Sequence, residues 1–228
     1  MNNKNPAAFL LLVLLLPPGI GSTEKGTLTL TVEKGQSVTI PCFYRTCSTC
    51  SKQLCRENKT FYCHQKSVRS WRNIEDDPTQ GVFTVPLKNL QEGDSGMYMC
   101  LLHHSGLFKK PELVYNIRVT SDTPGLSVKD NTVEAELGGS VTVLCFYSDV
   151  YSKREKGWCR AGMRGSCVKT RSTEASSGRA TLKVDPTAGV FRVTLRDLEK
   201  EDTGWYWCSA GDLKFPFHIK VSEKRSSK

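Results

Sequence analysis

Apolar and polar positions alternate along this chain with the period of β-strands. Phe83-Thr-Val-Pro-Leu87 and Phe191-Arg-Val-Thr-Leu195 show strict alternation, which places successive side chains on opposite faces of an extended strand. Val38-Thr-Ile-Pro-Cys42 and Val141-Thr-Val-Leu-Cys145 alternate or run apolar and are bounded by glycine, a second strand signature. No stretch carries a helical period. The chain therefore reads as all-β, with short strands and frequent turn formers that point to a sandwich. One segment stands apart. Lys4 precedes an apolar run from Ala7 to Leu16, followed by Pro17-Pro18 and small residues up to Ser22. That run is far shorter than the roughly 20 residues needed to span a bilayer, and it has the layout of a signal peptide, expected over residues 1–21.

The strand pattern occurs twice. Gly35-Gln-Ser-Val-Thr-Ile-Pro-Cys42 returns as Gly138-Gly-Ser-Val-Thr-Val-Leu-Cys145, and Leu54-Cys55-Arg56 as Trp158-Cys159-Arg160. Asp77-Pro-Thr-Gln-Gly-Val-Phe83 returns as Asp185-Pro-Thr-Ala-Gly-Val-Phe191, and Asp94-Ser-Gly-Met-Tyr-Met-Cys100 as Asp202-Thr-Gly-Trp-Tyr-Trp-Cys208. Four blocks in one order predict two copies of one domain. Their expected bounds are 24–121 and 124–221, joined at the turn formers Ser121-Asp-Thr-Pro-Gly125, with a polar tail over 222–228.

The Cys145…Trp158…Cys208 spacing matches the two strand-linking cysteines and core tryptophan of an immunoglobulin sandwich. Tyr98 and Tyr206, each two residues before a cysteine, occupy the tyrosine-corner position. The predicted architecture is thus two tandem V-type immunoglobulin β-sandwiches after a signal peptide. Leu54 replaces the tryptophan in the first copy and implies a repacked core there.

Ten cysteines in an exported chain predict disulfides. Cys42–Cys100 and Cys145–Cys208 are expected across the two sandwiches. With Trp158 facing inward, Cys159 faces outward beside Cys167, and Cys55 and Cys63 repeat that spacing of eight. Both pairs are expected to pin a C–C′ hairpin. By the same alternation Trp205 and Trp207 face outward, with Trp207 covering the surface bridge and Met97 and Met99 matching them in the first copy. Cys47-Ser-Thr-Cys50 is peculiar to the first copy. A thioredoxin-like redox pair needs a helix N-terminus to activate the thiol, and a zinc site needs two further ligands. Neither is available in a B–C loop, so a local Cys47–Cys50 bridge is expected, although six cysteines allow 15 connectivities.

The Trp-Cys-Arg strand with a second cysteine soon after, and Asp-Thr-Gly-Trp-Tyr-Trp-Cys, resemble the polymeric immunoglobulin receptor group. That group includes the CMRF-like leukocyte receptors and the fish polymeric-immunoglobulin-receptor-like proteins. The resemblance spans about residues 24–221 and implies an immune receptor-like binder whose ligands are antibody Fc regions or membrane lipids. The first copy departs from it at Leu54 and at Met97/Met99.

Charge adds a candidate surface. The net charge of +9 is shared between the halves and favours acidic partners such as phospholipid headgroups, glycans or acidic protein patches. Nucleic acid is excluded by export. Lys52, Arg56, Lys59, Lys66, Arg69 and Arg72 cluster in the first copy, opposed by Glu57. Lys153, Arg154, Lys156, Arg160, Arg164, Lys169 and Arg171 cluster in the second, opposed by Glu155. The F–G segment of the first copy is long: Cys100 to Val119 spans 19 residues, against 13 from Cys208 to Val221. Leu107 and Phe108 beside Lys109 and Lys110 form a candidate tip for a bilayer or a protein. Asn58-Lys-Thr60 is a glycosylation sequon bordering that face.

Catalysis is not expected. The four histidines, His64, His103, His104 and His218, form no nucleophile–base–orienter set, and no cofactor or metal is implied. The polar end at Lys228, with no second apolar span, predicts a secreted protein or a truncated form of a membrane receptor. The expected function is recognition of an antibody Fc or an anionic lipid through the first domain, chiefly Lys52, Arg56, Leu107, Phe108, Lys109 and Lys110. The alternative is V-domain pairing in adhesion.

Overall fold

Extended strands point their backbone N–H and C=O groups sideways to both edges, and those groups need neighbouring strands. In the computed structural model they find them in two sandwiches. The described residues are 26–44, 47, 49–57, 74–104, 107–109, 113–163 and 165–223. The expected signal peptide, Asn58, Lys59, Cys63, His64, Lys66, Arg69, Arg72, Lys110, Arg164 and the tail from 224 lie outside them.

The first sandwich is built from Gly26–Glu33 (β1), Val38–Phe43 (β2), Ser51–Arg56 (β3), Glu75–Asp77 (β4), Val82–Leu87 (β5), Gly96–His104 (β6), Leu107–Lys109 (β7) and Leu113–Thr120 (β8). The second uses Leu126–Val128 (β9), Thr132–Glu136 (β10), Val141–Tyr147 (β11), Lys156–Arg160 (β12), Val168–Thr170 (β13), Glu174–Ser177 (β14), Ala180–Asp185 (β15), Val190–Leu195 (β16), Gly204–Ala210 (β17) and Leu213–Ser222 (β18). In the first, β1–β8–β6–β3 faces the three-stranded sheet β2–β5–β4. In the second, β13–β12–β17–β18 faces β14–β15–β16–β11–β9.

The inward positions are those of the apolar period. Leu28, Leu30 and Val32 of β1, Ile40 of β2, Phe83, Val85 and Leu87 of β5, and Tyr115 and Ile117 of β8 are all buried. Each such side chain contributes about 1.5–3 kcal/mol on burial. Cys42–Cys100 and Cys145–Cys208 cross the two cores, and Cys47–Cys50 and Cys159–Cys167 are also bridged. Cys55 is disulfide-bonded as well.

The repeated sequence blocks have structural causes. Tyr98 Oη donates to Asp94 O at 2.6 Å and Tyr206 Oη to Asp202 O at 2.7 Å, closing the same corner twice. In the Asp-Pro-Thr-x-Gly turns, Asp77 Oδ1 accepts from the Thr79 and Gln80 amides, and Asp185 Oδ1 from the Ala188 amide. Gly189 is left-handed at φ 60° with Tyr147 O close behind it, which leaves no room for a side chain. The cores differ where the sequences do. Trp158 stacks on Tyr206 at 4.9 Å between ring centroids. Leu54, fully buried, takes its place in the first core, where Tyr115 Oη reaches across to the carbonyl of Pro41.

The two sandwiches share an edge. Thr29 of β1 pairs in parallel with Leu213 of β18, so their front sheets run together as one ten-stranded sheet. Asn131 bridges the junction, accepting from the Thr39 amide at 3.0 Å and donating to Pro216 O at 2.8 Å. Thr31 Oγ1 donates to Leu126 O at 3.3 Å in the buried part of the seam.

Candidate binding face

The outward side of β17 is not a surface. Trp205 is 7% exposed and Trp207 is fully buried. Trp207 lies 6.3 Å from the Tyr115 ring of the first domain, and Trp205 shares a cleft with Thr39, Val82 and Thr84 of the β2–β5–β4 sheet. The expectation that these tryptophans face outward from their own sandwich holds, but the first domain covers them. A within-domain alternation pattern carries no information about what packs on the polar side.

The matching face of the first domain is open among the described residues. On β6 the outward positions are Met97, Met99 and Leu101, each half-buried. Strand register sets Cys55 and Val114 opposite Met99, and Gln53 opposite Leu101. Met97, Met99, Leu101 and Val114 thus form a half-buried apolar row, with the polar Gln53 beside it and Cys55 buried. Above it the long F–G segment forms a hairpin: β7 pairs with β6 through Leu102↔Lys109, His103↔Phe108 and His104↔Leu107. Leu107, Phe108 and Lys109 therefore belong to a strand and not to an irregular loop, as backbone pairing within the segment satisfies groups that a loop leaves to water.

Several of the expected cationic side chains among the described residues are held by internal partners, while Lys59, Lys66, Arg69, Arg72 and Arg164 lie outside the described residues. Lys52 pairs with Asp76 at 2.9 Å and sits 4.8 Å from the Tyr44 ring centroid, with its side chain only 11% exposed. Tyr44 donates to Asp76 at 2.7 Å, and burial followed by the neighbouring Asp76 carboxylate raises its phenol well above the ordinary range. Arg56 donates to Gly93 O at 2.8 Å and Ser95 O at 2.6 Å. Arg160 does the same work in the second domain, reaching Thr203 O at 3.2 Å and Tyr206 Oη at 3.4 Å. These two arginines clamp the turn before the F strand, a role signalled in the sequence only by their recurrence in matched blocks.

Lys156 is 2% exposed. Its ammonium donates to Tyr151 O, Ser152 O and Arg154 O at 2.7, 3.1 and 2.8 Å and lies 4.0 Å over the Tyr147 ring. Burial lowers its pKa. Glu155 draws in Lys169 at 3.3 Å and Arg171 at 3.8 Å. Lys156 is thus withdrawn from the expected cationic face, because a lysine stem reaches carbonyls that no sequence pattern announces. The glycosylation sequon at Asn58, the partner position Cys63 and Lys110 lie outside the described residues. No group of metal-ligating side chains occurs among the described residues, and none of their helices is long and apolar enough to cross a membrane.

Comparison with known proteins follows the same lines. The model of the immunoglobulin V-set domain matches residues 128–225, and that of the immunoglobulin domain matches residues 29–112. The polymeric immunoglobulin receptor of Mus musculus is 30% identical over 133 residues, which is 58% of this chain and 17% of that protein. CMRF35-like molecule 2 of Homo sapiens is 37% identical over 89 residues, 36% of this chain and 43% of its own length. The crystal structure of the teleost fish polymeric Ig receptor ectodomain is 35% identical, covering 86% of this chain and 98% of that one, with a TM-score of 0.43. The chain spans under a fifth of the length of the mouse receptor.

Proposed function

From the premise that the chain belongs to the immunoglobulin superfamily and is related in sequence to polymeric immunoglobulin receptors and CMRF35-like molecules, we propose that it is an immune receptor-like binding protein that recognises an antibody Fc through its first domain. It acts outside the cell, as a secreted protein or as part of a surface receptor. Its relatives are receptors and not enzymes, and it works by binding alone.

The observation that carries this reading is the asymmetry of two equivalent faces. The face of the second domain is occupied by the first, whereas Met97, Met99 and Leu101 on the matching face of the first remain half-exposed among the described residues. An apolar row beside a strand hairpin suits a folded protein surface, where aromatic and methionine side chains supply most of the contact energy. Among the described residues an anionic bilayer is the weaker choice, because Lys52, Arg56, Lys156 and Arg160 are held by internal partners.

Surface plasmon resonance of the mature chain against immobilised polymeric immunoglobulin, with phosphatidylserine and phosphatidylcholine vesicles in parallel, tests it. Binding to immunoglobulin that falls at least tenfold in the Met99→Asp variant is expected. Binding to phosphatidylserine vesicles alone would overturn it. The apolar row also supports a second reading, V-domain pairing between chains, which a concentration-dependent dimer in sedimentation equilibrium would reveal.

A further inference from the structure

The seam between the domains covers two groups that favour water, one wholly and one in part. Trp207 is fully buried, and its indole Nε1–H finds no acceptor among the described residues. A buried unpaired donor is a standing cost of the closed arrangement, and water satisfies it once the domains part. The second group is His218 of β18. Its ring lies 5.1 Å from that of Trp205, tilted by 58°, and both line the cleft against β4 of the first domain.

We propose that the two domains form a closed tandem that opens on acidification, with His218 as the trigger and the Trp205–Trp207 face of the second domain as the surface released. Opening is independent of which ligand the first domain takes.

The charged groups around His218 set the direction. From β4 of the first domain come Glu75, Asp76 and Asp77, of which Asp76 is paired with Lys52 and Asp77 accepts from Thr79 and Gln80. From β10 comes Glu134, paired with Lys220 of β18 at 3.0 Å. Burial lowers the His218 pKa; Asp77 opposes this, and Lys220 adds to the lowering. In an opened tandem the imidazole is solvated and returns to about 6.5. The open form therefore binds the proton more tightly than the closed form. As pH falls below about 6.5, proton uptake favours opening, by up to tenfold in the open-to-closed ratio for each pKa unit separating the two forms.

Small-angle X-ray scattering of the mature chain between pH 7.5 and 5.0 reads the opening, and tryptophan fluorescence reads His218, since an imidazolium beside an indole quenches it. At pH 7.5 the radius of gyration should match that calculated for the closed tandem, and it should rise at pH 5.0. His218→Phe, which keeps the ring against Trp205 without a titratable nitrogen, should remain compact throughout. His218→Gln gives the same test with a polar side chain should the phenylalanine variant fold poorly. A wild-type radius that does not change with pH overturns the proposal. So does expansion of both variants along the wild-type profile.

Discussion

Replacing Lys156 with methionine separates a scaffold cation from a ligand-binding one. Methionine keeps the length of the stem and its contact with the Tyr147 ring, and removes only the ammonium. Three carbonyls, those of Tyr151, Ser152 and Arg154, then lose their donor. Hydrogen bonds from a charged donor contribute about 1.5–3 kcal/mol each. Against them stands the desolvation of a nearly buried ammonium, several kcal/mol in its own right. The balance falls at about 2 kcal/mol of lost stability, since water reaches part of the carbonyl-bearing turn once the lysine is gone. With a urea slope of about 1 kcal/mol per M for a domain of this size, the midpoint should fall by about 2 M. The same balance has a pH signature. The folded-state pKa of Lys156 is lowered, so the unfolded chain holds the proton more tightly. Stability from this group rises as pH climbs from the lowered folded value towards about 10.4 and is flat beyond. Urea unfolding followed by tryptophan fluorescence, at neutral pH and at pH 10, measures both. A midpoint that moves by less than 0.3 M (about 0.3 kcal/mol at that slope), with weakened binding to anionic vesicles, would refute the scaffold role and restore the cationic-face reading.

Two further outcomes follow from the cores and bridges. Leu54→Trp restores the residue that the second domain carries, yet Leu54 is fully buried in a core packed without it; overpacking should lower stability by about 1–3 kcal/mol in thermal unfolding. The Cys47–Cys50 bridge closes a separation of 3 residues and Cys42–Cys100 one of 58. Loop entropy then gives losses of about 2 kcal/mol for the Cys47→Ser/Cys50→Ser pair and about 4 kcal/mol for Cys42→Ser/Cys100→Ser, to be compared in denaturant unfolding under non-reducing conditions.

Much of the fold was legible because its causes are local or strongly patterned. Period-2 alternation marks β5 and β16, and the cysteine spacing orders the strands of each sandwich. The tyrosine two residues before Cys100 and Cys208 is fixed by one short hydrogen bond. The binding face was less legible. Alternation placed Trp205 and Trp207 on the outside of their sandwich, but the residues that cover them, such as Tyr115 and Val82, lie about ninety or more positions earlier. The roles of three basic residues were illegible for a related reason: Lys52, Arg56 and Lys156 reach partners set by turns and strand ends. The Asn131 bridge to Thr39 and Pro216 carries no motif at all.

The pairing of β1 with β8 and β18 gives synthesis a timetable. The first strand to emerge meets Leu113–Thr120 only after more than eighty further residues have been made, and Leu213 later still. At roughly 5–20 residues per second that leaves an exposed, apolar strand waiting on the order of ten seconds. During that interval Cys42, Cys47, Cys50 and Cys55 are already available to oxidants. The second domain waits as long, since Thr132 of β10 pairs with His218 of β18, so both domains hold an early strand unpaired through comparable intervals of synthesis.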